Sequence, residues 1–419
     1  MLNDRYVREH PGAVRAALTR RNAGDDALRT LDAWLVLDDQ RRALATRRDE
    51  QSAALRNAGA GPASTSAARA ARRERDATAS ALDVLEARAR RMLARLPNLP
   101  DPRVPDGTAP SESVELRRWG APPAFAFPPR PHDILAAELG LFDARRATVL
   151  AGPRFPLLIG RGARLARALA TMMLEMHHQR GYVEVSPPHL LRQETLEMTG
   201  HLPRFEDDLF RVPGDDLYLS PTAEVQLVGM HSGESLPESS LPLAYTALTP
   251  AFRREAGSAG SATRGLLRQH QFDKVELVRI ATPEGAAAAF DTILADAEAV
   301  LQRLRLPYRA VALCAGELPF TAMRTFDLEV WMPSQRRYVE VSSISDCGTF
   351  QSRGLSLRYR PMAGGRARYP HTLNGSALAI GRTLAALLEN YQTADGSVHL
   401  PPEWSPWLGT PVLTPGDEG

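Results

Sequence analysis

Between Leu266 and Val278 the chain reads LLRQHQFDKVELV, and its alternation places Arg268, His270, Phe272, Lys274 and Glu276 on one side of a predicted strand. Gln269, Gln271, Asp273, Val275 and Leu277 take the other side. Upstream, Arg253 and Glu255 share a face of a second short predicted strand, and Gly257, Gly260 and Gly265 supply the turn of a long hairpin. Guanidinium, carboxylate and phenyl groups on one face make a poor core. They make a good cradle for a ligand that is both anionic and aromatic, such as a nucleotide, because an arginine fork holds phosphate and also sits well on aromatic rings. Taken alone, charges at period two also describe the solvated face of an antiparallel sheet.

The two halves join into one string, FRREAGSAG and then TRGLLRQHQFDKVE, which closely resembles motif 2 of the class II aminoacyl-tRNA synthetases in the form found in seryl-tRNA synthetases. The resemblance implies that Arg253 holds the ATP α-phosphate and the serine carboxylate together, two anions that one fork-shaped cation can keep in attack geometry. It assigns Glu255 to the adenine amino group, Phe272 to stacking on the ring, Arg268 to the terminal phosphates and Glu276 to the serine hydroxyl. His270 is left as a structural histidine. The turn from Gly257 to Gly265 is expected to act as a lid that also meets the tRNA acceptor end.

Three more segments extend the resemblance. In DLYLSPTAEVQL, Thr222 and Glu224 would receive the serine amino group, since a desolvated ammonium needs a hydroxyl and a carboxylate around it. Phe326 to Val330 and Arg337 to Ser343 alternate on either side of a turn at Pro333 to Gln335, a second hairpin. There Glu340 and Ser343 match the family positions that hold Mg2+ between the ATP phosphates; strict alternation puts them on opposite faces, so a bulge or the strand end must turn Ser343 inward. YPHTLNGSALAIGRTLAALLENYQ resembles motif 3: Asn374 to Ser376 reads as a turn and cap before a helix, Ser376 is the second partner of the substrate hydroxyl and Arg382 clamps the γ-phosphate. If helical throughout, the six residues between Ser376 and Arg382 span about 9 Å. The implied reaction needs no side-chain nucleophile. The serine carboxylate attacks the α-phosphorus, pyrophosphate leaves, and the seryl group passes to the tRNA ribose. A pocket whose Glu276 and Ser376 expect a hydroxyl rejects alanine by leaving polar groups unpaired.

These groups need positioning elements. The fold class implied is α+β: an antiparallel class II sheet flanked by helices, with an N-terminal two-helix coiled-coil arm. A short helical lead covers residues 1 to 25, a helix runs from about Leu28 to Arg56, and NAGAGPAST at 57–65 breaks it. Leu82, Leu85, Ala89, Met92 and Leu96 then repeat at heptad spacing. Two such helices make a hairpin roughly 45 Å long. Its arginines, among them Arg69, Arg72, Arg73, Arg88, Arg91 and Arg95, suit a solubilising face or a partner-binding coiled coil as well; the resemblance implies an arm that holds tRNA by shape and phosphate contact. The expected domains are the arm at 1–105, a proline-rich linker at 106–130, the catalytic domain at 131–409 and a tail at 410–419. Leu165, Leu169, Met172, Met173 and Met176 form a helical stripe before a strand at Tyr182 to Val185 that stops at Pro187 and Pro188. This resembles motif 1, and so implies a homodimer.

Composition sets outer bounds. In 419 residues there is room for two or three domains. A net charge of +2 makes any RNA surface local. Lys274 is the only lysine. Two cysteines, Cys314 and Cys347, cannot build a disulfide framework, and no Cys/His cluster has zinc spacing, so no zinc is expected; ATP and Mg2+ are what the resemblance implies. With no apolar signal core or long apolar run, a cytoplasmic protein without a membrane span is expected. The partners that the resemblance implies are serine and tRNA(Ser), with tRNA(Sec) as a second candidate.

Some positions depart from the usual pattern: Ser261-Ala262 in the motif 2 turn, Arg254, Arg324, Phe326, Ala377 and the run SSISDCGTFQSRG. They suggest a divergent second synthetase that tolerates a seryl-adenylate-like inhibitor. Two other classes remain to be weighed: an amino acid ligase that loads a carrier protein, whose relatives lack the arm and use zinc, and a non-catalytic tRNA-binding paralogue, which retention of Arg253, Glu276 and Arg382 disfavours.

Overall fold

A computed structural model describes residues 1–57, 66–256 and 265–416. Most of the helix break expected at 57–65, most of the lid expected at 257–265 and the end of the tail lie outside the described residues. The chain divides into two compact units, Met1–Leu99 and Pro100–Gly419.

The first unit is helical: α1 (Asp4–Glu9), α2 (Pro11–Arg20), α3 (Gly24–Asn57) and α4 (Ser66–Leu93). Asn3 caps α1 by accepting from the backbone of Arg5 and Tyr6. Arg41 lies 3.9 Å from Glu86 and Arg47 2.7 Å from Glu74, so α3 and α4 run antiparallel. Of the heptad seam, Leu82, Ala89 and Leu96 are buried and Leu85 and Met92 half-buried, with Leu93 buried beside it and Trp34 and Leu37 buried on α3. Asp38, buried, is held by Arg8 at 2.5 Å and Arg41 at 2.6 Å. The α4 arginines Arg69, Arg72, Arg73, Arg88, Arg90 and Arg91 are exposed.

The second unit is built on an eight-stranded sheet: β1 (Val114–Trp119), β2 (Val183–Glu184), β3 (Leu243–Phe252), β4 (Gln271–Ala281), β5 (Tyr308–Ala312), β6 (Arg324–Met332), β7 (Arg337–Asp346) and β8 (His371–Ala379). Their order is β1-β5-β6-β7-β8-β4-β3-β2, antiparallel except for β2 beside β3. The residues expected as a linker contain β1, an edge strand paired with β5, and belong to the second unit. Proline density argues against a long helix, and an ordered edge segment with a single 3-10 turn at Pro110–Glu112 meets that restriction as well as a free linker does.

The core follows the alternation. Val275 and Leu277 of β4 join Leu328, Ile344 and Leu373 against α5 (Arg161–His178), α6 (Ala286–Arg303) and α7 (Ile380–Asn390). On the opposite face of β4, Val278 and Ile280 pack with Ala223, Leu227 and Leu355 in a second cluster. That face changes from apolar at Val278 to charged at Glu276 and Lys274, with the half-buried aromatic ring of Phe272 beyond them, and the change marks where the site begins. Motif 1 appears as α5, with Leu165, Leu169 and Met173 buried, followed by β2.

Three local expectations need correction. Strand β4 starts at Gln271, so Arg268 and His270 precede it, and Arg253 and Glu255 follow the end of β3. His270 donates its N–H to Arg154 O and accepts from Arg253 N, and Glu255 has φ +54°, which carries the chain off the ladder. Asn374 to Ser376 form no turn; they lie within β8, and helix begins only at Ile380 after a register shift between Ser376 and Ala379, with Leu378 at φ +118°. The Ser376 to Arg382 stretch is therefore partly extended.

Candidate active site

One cavity of about 800 Å3 opens on the polar part of the sheet face, and it collects Thr222, Glu224, Arg253, Glu255, Arg268, Phe272, Glu340, Ser343, Ser376 and Arg382 from six separated segments of the chain. Glu276, the remaining residue expected there, is fully buried and lies behind Lys274, Thr222 and Asn374, which do line the cavity.

At one end is a compact polar floor. Lys274 Nζ donates to Thr222 Oγ1 at 2.8 Å and pairs with the Glu276 carboxylate. The Thr222 hydroxyl donates to Glu276 Oε2 at 3.4 Å. The Asn374 amide bridges two carboxylates, giving one hydrogen bond to Glu276 Oε1 at 3.2 Å and one to Glu224 Oε2 at 3.0 Å. Gln351 donates to Glu224 Oε1 at 2.6 Å and accepts from Thr372. Strand pairing explains the convergence: Ser376 stands opposite Glu276 across β8 and β4. Burial pushes the Glu224 carboxyl above its usual range, while Gln351, Lys274 and Arg253 oppose the shift. Burial, with the Arg253 and Lys274 cations nearby, lowers His201 to about 4, so that ring is neutral at pH 7.

The middle and far end are cationic and aromatic. The Arg253 guanidinium lies 5.4 Å from the Phe272 ring centroid and donates to Pro221 O at 3.2 Å. Arg268 pairs with Glu255 at 2.5 Å, and its buried Nε–H has no partner among the described residues. Arg382 donates to Leu267 O at 3.1 Å and to Glu340 O at 2.8 Å, with the Glu340 carboxylate at 3.2 Å. Its neighbour is glycine where space is short: a Cβ on Gly381 would come 2.8 Å from Gln269 Oε1, itself part of the cavity wall, and 3.1 Å from Leu266 O. His270 packs against Phe155 and bonds Arg253 O through Nδ1 at 3.1 Å, a structural position.

The expected bulge is present. Glu340 pairs with Glu329, Ser342 with Leu328 and Ser343 with Asp327, so Val341 is the extra residue, and Glu340 and Ser343 share a face with Asp327 and Glu329. Asp327 Oδ1 is buried without a partner among the described residues. Burial, then Glu340 and Glu329, push its carboxyl well above the usual range, against the Ser343 hydrogen bond and Arg382. No group of three or more His, Cys, Asp or Glu placed to hold a metal occurs among the described residues. Glu340, Ser343 and an orphaned Asp327 oxygen nevertheless fit a hard cation that draws most of its ligands from phosphate and water, as Mg2+ does.

Sequence reasoning left Lys274, Asn374, Gln351, Asp327 and Glu329 without roles. Lys274 does carry a signal, as the only lysine and on the ligand-facing parity; the NGS run around Asn374 has turn chemistry although it lies in a strand; Gln351 reaches the site from a five-residue helix with no local signature.

The chain matches the model of the tRNA synthetase class II core domain (G, H, P, S and T) over residues 205–391. It is 46% identical over 430 residues to a serine-tRNA ligase of Synechococcus sp. (strain JA-2-3B'a(2-13)), covering 99% of this chain and 98% of that one. With a serine-tRNA ligase of Acidithiobacillus ferrooxidans (strain ATCC 53993 / BNL-5-31) it shares 47% identity over 428 residues, 98% of each. Among solved structures, the seryl-tRNA synthetase of Pyrococcus horikoshii complexed with ATP superposes at a TM-score of 0.88 with 32% identity over the whole of both chains. The cytoplasmic serine-tRNA ligase of Naegleria fowleri in complex with AMP gives 0.86 with 26% identity, covering 97% of this chain and 96% of that one.

Proposed function

The chain belongs to the seryl-tRNA synthetases, and on that premise we propose that it activates serine with ATP and transfers the seryl group to tRNA(Ser) through the cavity described above. The observation that carries this reading is the convergence of a carboxylate-rich floor and an arginine-aromatic wall on one space. Each end suits one substrate.

In this reading Thr222 and Glu224 hold the serine ammonium, and Glu276 and Ser376 hold its hydroxyl. Arg253 clamps the serine carboxylate beside the α-phosphate, so the attacking oxygen and the phosphorus start near contact. Phe272 stacks on the adenine, Glu255 accepts from its amino group, and Arg268 and Arg382 spread over the β- and γ-phosphates. When bound, Mg2+ would supply charge neutralisation to the triphosphate, with Glu340 and Ser343 as its protein ligands. The arginines offset the charge that develops as pyrophosphate departs. No side chain needs to form a covalent intermediate. AMP then leaves as the terminal ribose hydroxyl takes the acyl group.

The α3-α4 arm is assigned to tRNA, whose long helical shape and phosphates suit its exposed arginines; tRNA(Sec) is a second substrate candidate. α5 and β2 are assigned to a homodimer interface, and the protein to the cytoplasm. No described helix is long and apolar enough to cross a membrane. The test is serine-dependent exchange of pyrophosphate into ATP followed by serine charging of tRNA(Ser). Both activities are expected; exchange without charging points to a carrier-loading ligase, and neither points to a non-catalytic paralogue.

A further inference from the structure

Lys274 is the single lysine among 51 lysine and arginine residues, and it lies in the floor of the amino acid end, buried, with Nζ between Thr222 and Glu276. Everywhere else this chain uses guanidinium for positive charge. We propose that Lys274 is the positioning residue that sets both the charge and the size of the serine pocket, an inference that rests on the serine-activating reading above.

Charge is the first part. Asn374 ties Glu224 and Glu276 together, placing two buried carboxylates side by side at the floor of the cavity. Two buried anions facing one substrate ammonium would leave an uncompensated negative charge, and one carboxylate would take up a proton instead. The Lys274 ammonium cancels one of them, so the floor presents a single net negative charge to an amino acid that brings a single positive group. The second part is hydrogen-bond direction. Lysine only donates, so Thr222 Oγ1 must accept from it and its own proton is directed to Glu276, which leaves its second lone pair, met by Glu224 N only at 3.3 Å, to be taken over by the serine ammonium. Glu276 is left as an acceptor for the substrate hydroxyl. Size is the third part. An arginine there would carry a planar fork with five donors past Thr222 into the volume the serine side chain must occupy, whereas an ammonium is a compact head.

The experiment compares wild type, Lys274→Arg and Lys274→Met in serine-dependent pyrophosphate exchange, with thermal melts to confirm folding. For both variants the expected result is a serine KM raised about 100-fold or more, the scale for unpairing a buried ion pair, with the ATP KM unchanged. A Lys274→Arg enzyme with wild-type serine KM overturns the size argument, and a Lys274→Met enzyme with wild-type serine KM overturns the whole inference. Wild type inactive with serine would instead overturn the underlying reading. Should either variant fail to fold, wild type labelled with [ε-15N]lysine offers a readout without mutation, because the whole chain then carries one Nζ resonance. That signal should move on adding serine and stay in place on adding alanine; no response to serine overturns the proposal.

Discussion

Asp327 shows how the site's chemistry can be read from a single carboxyl. Burial and two carboxylate neighbours on its own sheet face raise its pKa in the folded protein, so folding binds a proton there between the unfolded value, near 4, and the raised folded value. Stability from this group is therefore intact below about pH 4 and declines as pH rises through that window. Asp327→Asn should accordingly melt at a higher temperature than wild type at pH 7, with the difference vanishing near pH 4, and should need more Mg2+ for half-maximal exchange. Equal melting temperatures at pH 7 would contradict the assignment. At the other end of the cavity, Glu276→Gln removes the carboxylate that Lys274, Thr222 and Asn374 all address. Serine kcat/KM should fall by about 100-fold or more, and the preference for serine over alanine should narrow. Arg382→Lys keeps the charge but loses the fork that spans Leu267 and Glu340, so kcat/KM for ATP should drop by about 100-fold.

Among the elements, the β6-β7 hairpin matters most to the phosphate end, because one extra residue, Val341, brings Glu340 and Ser343 to the same side. Deleting Val341 leaves Glu340 and Ser343 two apart on a regular strand and so still on one face, whereas deleting Val341 and Ser342 together leaves them adjacent and sends one of them to the other face. The expected outcome is loss of Mg2+-dependent exchange in the double deletion, while the single deletion and Val341→Ala, which both keep the two side chains on one face, retain it; melting curves separate loss of fold from loss of register. This bulge was legible in the sequence because two residues with one role stood three apart on a strand. So were Phe272 and Glu276, whose parity on β4 follows from alternation, and the heptad seam through Leu82 and Ala89. Other features needed tertiary facts. Glu255 leaves the ladder at a left-handed φ, and Ser376 sits on a strand that switches to helix only after a strained bulge at Leu378. β1 hides in a proline-rich run because only pairing with β5 orders it. Asn374 and Gln351 acquire meaning only once Glu224 lies between them.

At the scale of the whole molecule, the division at Leu99 separates a helical unit rich in exposed arginine from the unit that holds the cavity. If the arm binds tRNA backbone, Arg69, Arg72 and Arg73 changed together to Ala should lower charging and flatten its salt dependence while leaving pyrophosphate exchange as in wild type. A loss of exchange would contradict that division of labour. Of the positions that suggested an inhibitor-tolerant second synthetase, Ser261 and Ala262 lie outside the described residues, and Ala377 is buried beside Ser376. Equal inhibition of this enzyme and a standard one by a non-hydrolysable seryl-adenylate analogue would remove that idea without touching the assigned reaction. The same compound provides the most direct examination of the central claim, through a crystal structure of its complex with this protein. The adenine is expected on Phe272, the phosphoryl group on Arg253, and the seryl hydroxyl within hydrogen-bond reach of Glu276 and Ser376. An analogue bound outside this cavity, or one whose hydroxyl faces solvent away from Glu276, would contradict it.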